Sequence, residues 1–123
     1  MKIYVAHTRD SDFQNELYKP IKESTLFKEH TFVLPHEMSA GSFNSKEFFK
    51  TDCNLVIAEV SYPATGLGIE LGWADMLSVP IVCIYRKGSK ISTSLKVVAK
   101  LILEYEGPAD LIEKIQVAIK SIQ

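Results

Sequence analysis

Ala58-Glu59-Val60-Ser61-Tyr62-Pro63-Ala64-Thr65-Gly66-Leu67-Gly68-Ile69-Glu70-Leu71-Gly72-Trp73-Ala74 is the stretch on which the reading of this chain turns. An apolar strand runs into a Pro/Thr/Gly loop, two glycines open a helix, and a glutamate falls in the first turn of that helix. In an open α/β sheet, ligands bind beyond the carboxyl ends of the strands. Glycine lets backbone N–H groups approach a ligand, and a helix N-terminus favours negative charge. A carboxylate held there is expected to stay ionised, available as a nucleophile or base.

On either side of that segment, apolar runs alternate with amphipathic ones. Lys2–Ala6, His30–Leu34, Asn54–Val60, Pro80–Tyr85 and Leu101–Tyr105 read as strands. The third is nearly all apolar, as a strand covered on both faces should be. Helices are expected over Asp12–Ser24, Ser45–Thr51, Leu67–Leu77 and Ser92–Lys100, and in a last segment starting at Pro108 or Asp110. In the first of these, Phe13, Leu17 and Ile21 recur at helical spacing, and Asp10, Ser11 or Asp12 is placed to cap it. Pro20 inside that pattern predicts a kink or a late start. Met38–Phe43 reads as a Gly/Ser-containing loop. Five strands alternating with helices predict a flavodoxin-like, doubly wound, five-stranded parallel sheet with helices on both faces. No repeat or linker interrupts it, so residues 1–123 read as one domain. The loops Ala6–Asp12 and Ser61–Gly68 should meet at the switch point of the sheet.

Composition narrows the partners. Fourteen basic residues against fifteen acidic ones leave a formal net charge of −1, with no Lys/Arg stripe to bind a nucleic acid polymer. No apolar run approaches a membrane span, and Met1 leads directly into an apolar strand without the order of a signal peptide. Cys53 and Cys83 lie in or beside apolar runs and read as free buried thiols. A cytoplasmic protein is the expectation. His30 and His36 with Glu37 do not form a metal-ligand spacing, so neither a metal nor a cofactor is expected.

Each candidate site residue has a plain alternative. Glu70 can serve only the helix dipole, but Gly66, Gly68 and Gly72 around it ask for a further reason. The Gly-x-Gly pair lacks the three-glycine dinucleotide fingerprint. Glu59, near the end of an apolar strand, must be paired or hydrogen-bonded. It reads equally as a tie for a neighbouring loop and as a catalytic carboxyl group. Tyr4 is either a core aromatic with a satisfied hydroxyl or a phenol that hydrogen-bonds a nucleophile. His7 and Thr8 stand at the tip of the first strand, where polar side chains meet ligands, opposite Thr65, Gly66 and Gly68. The basic, hydroxyl-rich Arg86–Lys96 segment is a solvated loop or a phosphate contact. The His7-Thr8-Arg9-Asp10 loop lacks the run of hydroxyls and glycines that a flavin phosphate would need.

Taken together, Glu59–Ala74 resembles the signature of the nucleoside 2-deoxyribosyltransferase-like family, which includes 2'-deoxynucleoside 5'-monophosphate N-hydrolases. Ile3-Tyr4-Val5-Ala6 is similar to its first strand. Asp12-Phe13-Gln14-Asn15 with Tyr18-Lys19 resembles the start of its first helix in the transferases. The resemblance implies that Glu70 is the nucleophile and that Tyr4 positions it. It also implies that Ser94 reaches the neighbouring subunit's site to contact phosphate, hence a homodimer or larger assembly with shared sites. Two departures stand out. The family's general-acid aspartate would fall near Asn44, Ser45 and Lys46, and the position six residues before the nucleophile is Ala64. Glu47, Glu59 and Asp52 are the carboxyl groups left as candidate acids. The expected activity is cleavage or transfer at the N-glycosidic bond of a nucleoside, deoxynucleoside or 5'-monophosphate. A non-catalytic nucleotide sensor on the same fold is the alternative, and a small phosphate-binding regulatory domain a third reading.

Overall fold

The computed structural model describes residues 1–38 and 43–123; residues 39–42 of the expected Gly/Ser loop lie outside the described residues. Five strands, β1 (Lys2–Ala6), β2 (Thr31–Val33), β3 (Leu55–Glu59), β4 (Ile81–Arg86) and β5 (Leu101–Tyr105), form one sheet in the order β2-β1-β3-β4-β5. Every pairing is parallel, with Tyr4 beside Val56 and Ala6 beside Ala58 in the β1–β3 register. This is the flavodoxin order, and its switch point lies between β1 and β3.

Residues on each strand alternate between two buried layers, as the pleat requires. Ile3, Val5, Leu55, Ile57, Val82 and Ile84 face one core. That core is closed by α1 (Lys19–Glu23), α2 (Leu26–Glu29) and α7 (Pro108–Lys120), through Ile21, Leu26, Leu111 and Ile115 among others. Tyr4, Ala6, Val56, Ala58, Ile81 and Cys83 face the other core, closed by α4 (Ser45–Thr51) and α5 (Thr65–Met76). Two short helices, α3 (Pro35–Met38) and α6 (Leu95–Val98), complete the elements. Both cysteines are free thiols, Cys83 buried and Cys53 half-buried. Among the described residues, no helix is long and apolar enough to cross a membrane.

The helix expected over Ser92–Lys100 shortens to α6 (Leu95–Val98). Two further helix starts differ from expectation, each for a local reason. The segment expected as one helix over Asp12–Ser24 opens with a π-helical turn, Gln14–Tyr18, closed by the Lys19 N–H donating to the Gln14 carbonyl. Only then does α1 begin, with Pro20 in its first turn. Pro20 has no N–H, and its ring crowds the carbonyl four residues back in an α-helix. The wider turn before it and a place at the helix start remove both costs. None of the expected side-chain caps is used: Phe13 occupies the N-cap, and the Asp12 carboxylate instead accepts from Asn15. The second difference concerns α5, which starts at Thr65 rather than Leu67. Ala64 is its extended N-cap, and the Gly68 N–H donates to the Ala64 carbonyl at 3.1 Å. Glu70 therefore sits in the second turn and not the first. The helix dipole fades within one turn, so something else must hold this carboxylate.

Ile57 is fully buried at the centre of the α1/α7 layer. Ile57→Ala should lower unfolding free energy by about 2–5 kcal/mol, read by urea denaturation, because the strand backbone cannot collapse into the void.

Candidate active site

Beyond the carboxyl ends of β1 and β3 lies an open cavity of about 530 Å³. Its floor is built by Tyr4 and Glu70, one wall by His7, Thr8, Arg9 and Asp10, and another by α5. Pro35 and His36 close the β2 side, and Phe43, Ser45 and Trp73 add an aromatic and hydroxyl flank. The volume falls in the range of small-molecule sites.

The central contact is between Tyr4 and Glu70. The phenol donates to Glu70 Oε2 at 2.5 Å. Tyr4 is 1 % exposed, and its ring is gripped edge-on by Phe49 at 5.1 Å and stacked by Phe43 at 5.9 Å. Burial pushes its pKa far above the ordinary tyrosine range, and the neighbouring Glu70 charge and hydrogen bond add to that. Tyr4 is thus a fixed donor that keeps its proton. The buried Ser45 hydroxyl acts on the same phenol in the opposite sense. Tyr4 is the one protein donor to Glu70 among the described residues, so the carboxylate is aimed through Oε2, and Oε1 accepts from none of them.

His7 is locked. Its Nδ1 lies 2.7 Å from the Thr8 carbonyl, which can only accept, so Nδ1 carries the hydrogen. Nε2 then accepts from the Tyr18 hydroxyl at 2.6 Å, and Tyr18 in turn accepts from the His36 backbone N–H at 3.3 Å. Burial lowers the His7 pKa to about 4, with His36 adding to the effect, and raises that of Tyr18 to about 12. The Thr8 hydroxyl accepts from the Asp10 N–H at 3.1 Å and shapes the loop. The π-helical turn brings Tyr18 to this position, and the Phe13 ring lies tilted against His7 with ring centres 4.5 Å apart.

Other expected residues separate. Thr65 and Gly66 line the cavity from the start of α5, whereas Gly68 does not. A Cβ at Gly66, Gly68 or Gly72 would meet nothing within 4 Å, so packing does not demand these glycines. Glu59 points to the opposite face of the sheet, towards Tyr105 in the α1/α7 core. There it accepts from the Ser61 N–H at 2.7 Å, the Ser61 hydroxyl at 2.9 Å and the Tyr105 hydroxyl. It does not line the cavity. Ser94 is exposed just before α6 and lies outside this chain's cavity. The Arg86–Lys96 segment also stays outside: Arg86 pairs with Glu16, and Lys87 with Glu106 at 2.7 Å. Asp52 pairs with Lys2 at 2.5 Å at the start of β1, and Glu47 lies exposed on α4 without lining the cavity.

Where the resembling family carries its aspartate, Asn44 caps α4 by accepting from the Glu47 N–H at 3.1 Å. Ser45 faces Tyr4, and Lys46 lies over the Trp73 ring. Sequence reasoning did not assign Arg9, Asp10, His36, Phe43 and Trp73 to the cavity. Trp73 was signalled by its spacing, three residues after Glu70 on one helix face. Among the described residues, no group of three His, Cys, Asp or Glu side chains is arranged to hold a metal.

Fold and cavity together define a doubly wound α/β domain with a tyrosine-held glutamate at its switch point. The chain is similar in structure to the CMP N-glycosidase BcmB of Clostridium botulinum, with a TM-score of 0.65 and 18 % identity. The match covers 94 % of this chain and 99 % of that one, so the two share a fold from end to end. No protein-family model matches the chain, and no curated protein does.

The His7 lock carries a pH signature. Its folded pKa of about 4 lies below the ordinary value of 6.5, so between those values the unfolded chain takes up a proton and the folded chain does not. Stability should therefore fall as pH drops from about 6.5 towards 4, by up to about 3 kcal/mol. Urea unfolding across that window should show a flatter dependence in His7→Gln than in the natural chain.

Proposed function

We propose that the protein cleaves the N-glycosidic bond of a nucleoside, deoxynucleoside or nucleoside 5'-monophosphate, with Glu70 as nucleophile. The observation that carries this reading is the Tyr4–Glu70 hydrogen bond at the floor of the switch-point cavity. The shared fold with an enzyme described as a CMP N-glycosidase supports it.

The chemistry follows from the geometry. Breaking the glycosidic bond builds positive charge at C1' and negative charge on the departing base. Glu70 Oε1 attacks C1', and the bonding pair leaves with the base. Tyr4 keeps Oε2 occupied and the carboxylate in line, an orientation effect. Water then releases the sugar in a hydrolase; a second base does so in a transferase. His7, Thr8, Thr65 and Gly66 contact the sugar or its 5' substituent. Glu59 has its lone pairs engaged on the other face and takes no part. Ser94, exposed beside the α5 face, contacts the phosphate held by a second copy of the chain; a homodimer on sizing with light scattering, and a higher KM for monophosphates in Ser94→Ala, are the outcomes expected.

The test is base release from a panel of nucleosides, deoxynucleosides and 5'-monophosphates, with and without an added base, followed by chromatography. Release should vanish in Glu70→Ala. In Tyr4→Phe, kcat should fall about 10–100-fold with KM little changed, as for loss of one positioning hydrogen bond. Binding without release from any substrate would instead favour a nucleotide sensor, the reading that the lack of an aspartate near Asn44, Ser45 and Lys46 favours.

A further inference from the structure

The glycosidase reading leaves the proton for the departing base without a donor, because Glu47, Glu59 and Asp52 do not line the cavity. Resting on that reading, we propose that His36 is the acid that protonates the leaving base.

The argument begins with the groups that line the cavity. Tyr4 is committed to Glu70 and keeps its proton. Both nitrogens of His7 are occupied, one by the Thr8 carbonyl and one by Tyr18. Arg9 does not lose a proton in the working range of proteins. Asp10 and His36 remain. Asp10 stands on the exposed rim, whereas His36 is half-buried and placed from several sides. Its backbone N–H is held by Tyr18, and its ring lies edge-on to His7 at 5.0 Å and tilted against Phe13 at 5.2 Å. Among the described residues, neither nitrogen of the His36 ring has a hydrogen-bond partner, and the residue lines the cavity.

The charges around His36 suit the task. Glu70 on α5 favours the imidazolium, while Arg9 from the loop after β1 opposes it. His7 faces it as a neutral ring, Tyr18 as a neutral phenol, and Glu37 on its own helix is paired with Lys22 at 2.8 Å. Burial and Arg9 hold the ring below its ordinary value. An anionic substituent bound beside Arg9 offsets that cation and shifts the ring towards imidazolium.

The step balances. The C1'–N bond breaks and its electron pair goes to the base, which takes the proton from the imidazolium. Glu70 forms the ester bond to C1'. In the second half the neutral imidazole takes a proton from water, whose oxygen bonds to C1' as Glu70 leaves as a carboxylate.

The test compares the natural chain with His36→Asn, Asp10→Asn and Glu70→Ala. The two substrates are dGMP and 7-methyl-dGMP, whose cationic base departs as a neutral molecule and needs no proton. In His36→Asn, kcat on dGMP should fall about 100-fold or more and kcat on 7-methyl-dGMP by less than about threefold. The fall of kcat with rising pH, which marks loss of the acid, should disappear with dGMP. Equal loss on both substrates, no loss on either, or a leaving-group-dependent loss in Asp10→Asn instead would overturn the assignment. If Glu70→Ala abolishes release while His36→Asn retains it, only this inference falls. If the natural chain releases no base, or Glu70→Ala retains release, the glycosidase reading falls with it.

Discussion

Tyr4 and Glu70 each present the other's missing partner. A phenol that is 1 % exposed cannot be left without a hydrogen-bond acceptor, since an unmade buried bond costs about 1–3 kcal/mol. A half-buried carboxylate one turn beyond the helix start likewise cannot rely on the helix dipole and requires a donor. The two meet only because β1 and β3 are neighbours and α5 folds back over the face on which Tyr4 lies. The phenol is held by Phe49 and Phe43, so the aim of the carboxylate is set by aromatic packing within the core. Whatever the cavity does at Glu70, it does with an orientation inherited from the hydrophobic layer beneath it.

Glu59 and Glu70 illustrate how one segment produces two opposite outcomes. They are eleven residues apart, at the end of β3 and in α5. Strand alternation puts Glu59 with Ile57 on the α1/α7 face, where three donors converge on it. The Ser61 hydroxyl that serves Glu59 also accepts from the Arg86 N–H at 2.8 Å, joining the ends of β3 and β4, while Tyr105 ties in β5. A carboxylate so fully satisfied stabilises the sheet edge. Glu70 has one donor among the described residues. The number of donors, more than depth of burial, separates the two carboxylates.

Much of this was legible beforehand. All five strands were foreseen to within a residue at either end, because a parallel strand buried on both faces is a compact apolar run. The α4 bounds agreed as well. The π-helical turn was not legible: Pro20 announced a disturbance, but a kink, a late start and a widened turn satisfy the same missing N–H. The start of α5 was misplaced by two residues because Gly66 and Gly68 looked like the loop. Glycine lowers helix propensity without forbidding the helix, and the Ala64 carbonyl still found its Gly68 N–H. Glu59 could not be resolved from sequence, since one residue of register decides which face a strand residue meets. His36 was read only for metal-ligand spacing; its place against His7 follows from the adjacency of β1 and β2, which spacing alone does not encode.

The hydrogen bonds around the β1 tip run in one direction. The His36 N–H donates to Tyr18, Tyr18 donates to His7, and His7 donates to the Thr8 carbonyl, where the chain ends. Each link fixes the proton position of the next, so His7 has no nitrogen left to exchange a proton and meets the cavity only as a wall. The same chain fastens three elements that sequence separates: the tip of β1, the π-helical turn and α3. Arg86, reaching across to Glu16 in that turn, extends the fastening to β4. With those parts bound together, the His36 backbone is anchored beside the cavity while its ring nitrogens have no partner among the described residues. The network that engages both nitrogens of His7 is therefore what sets the backbone of His36 beside it. On one side of the cavity stands an imidazole, and on the floor a carboxylate aimed by Tyr4.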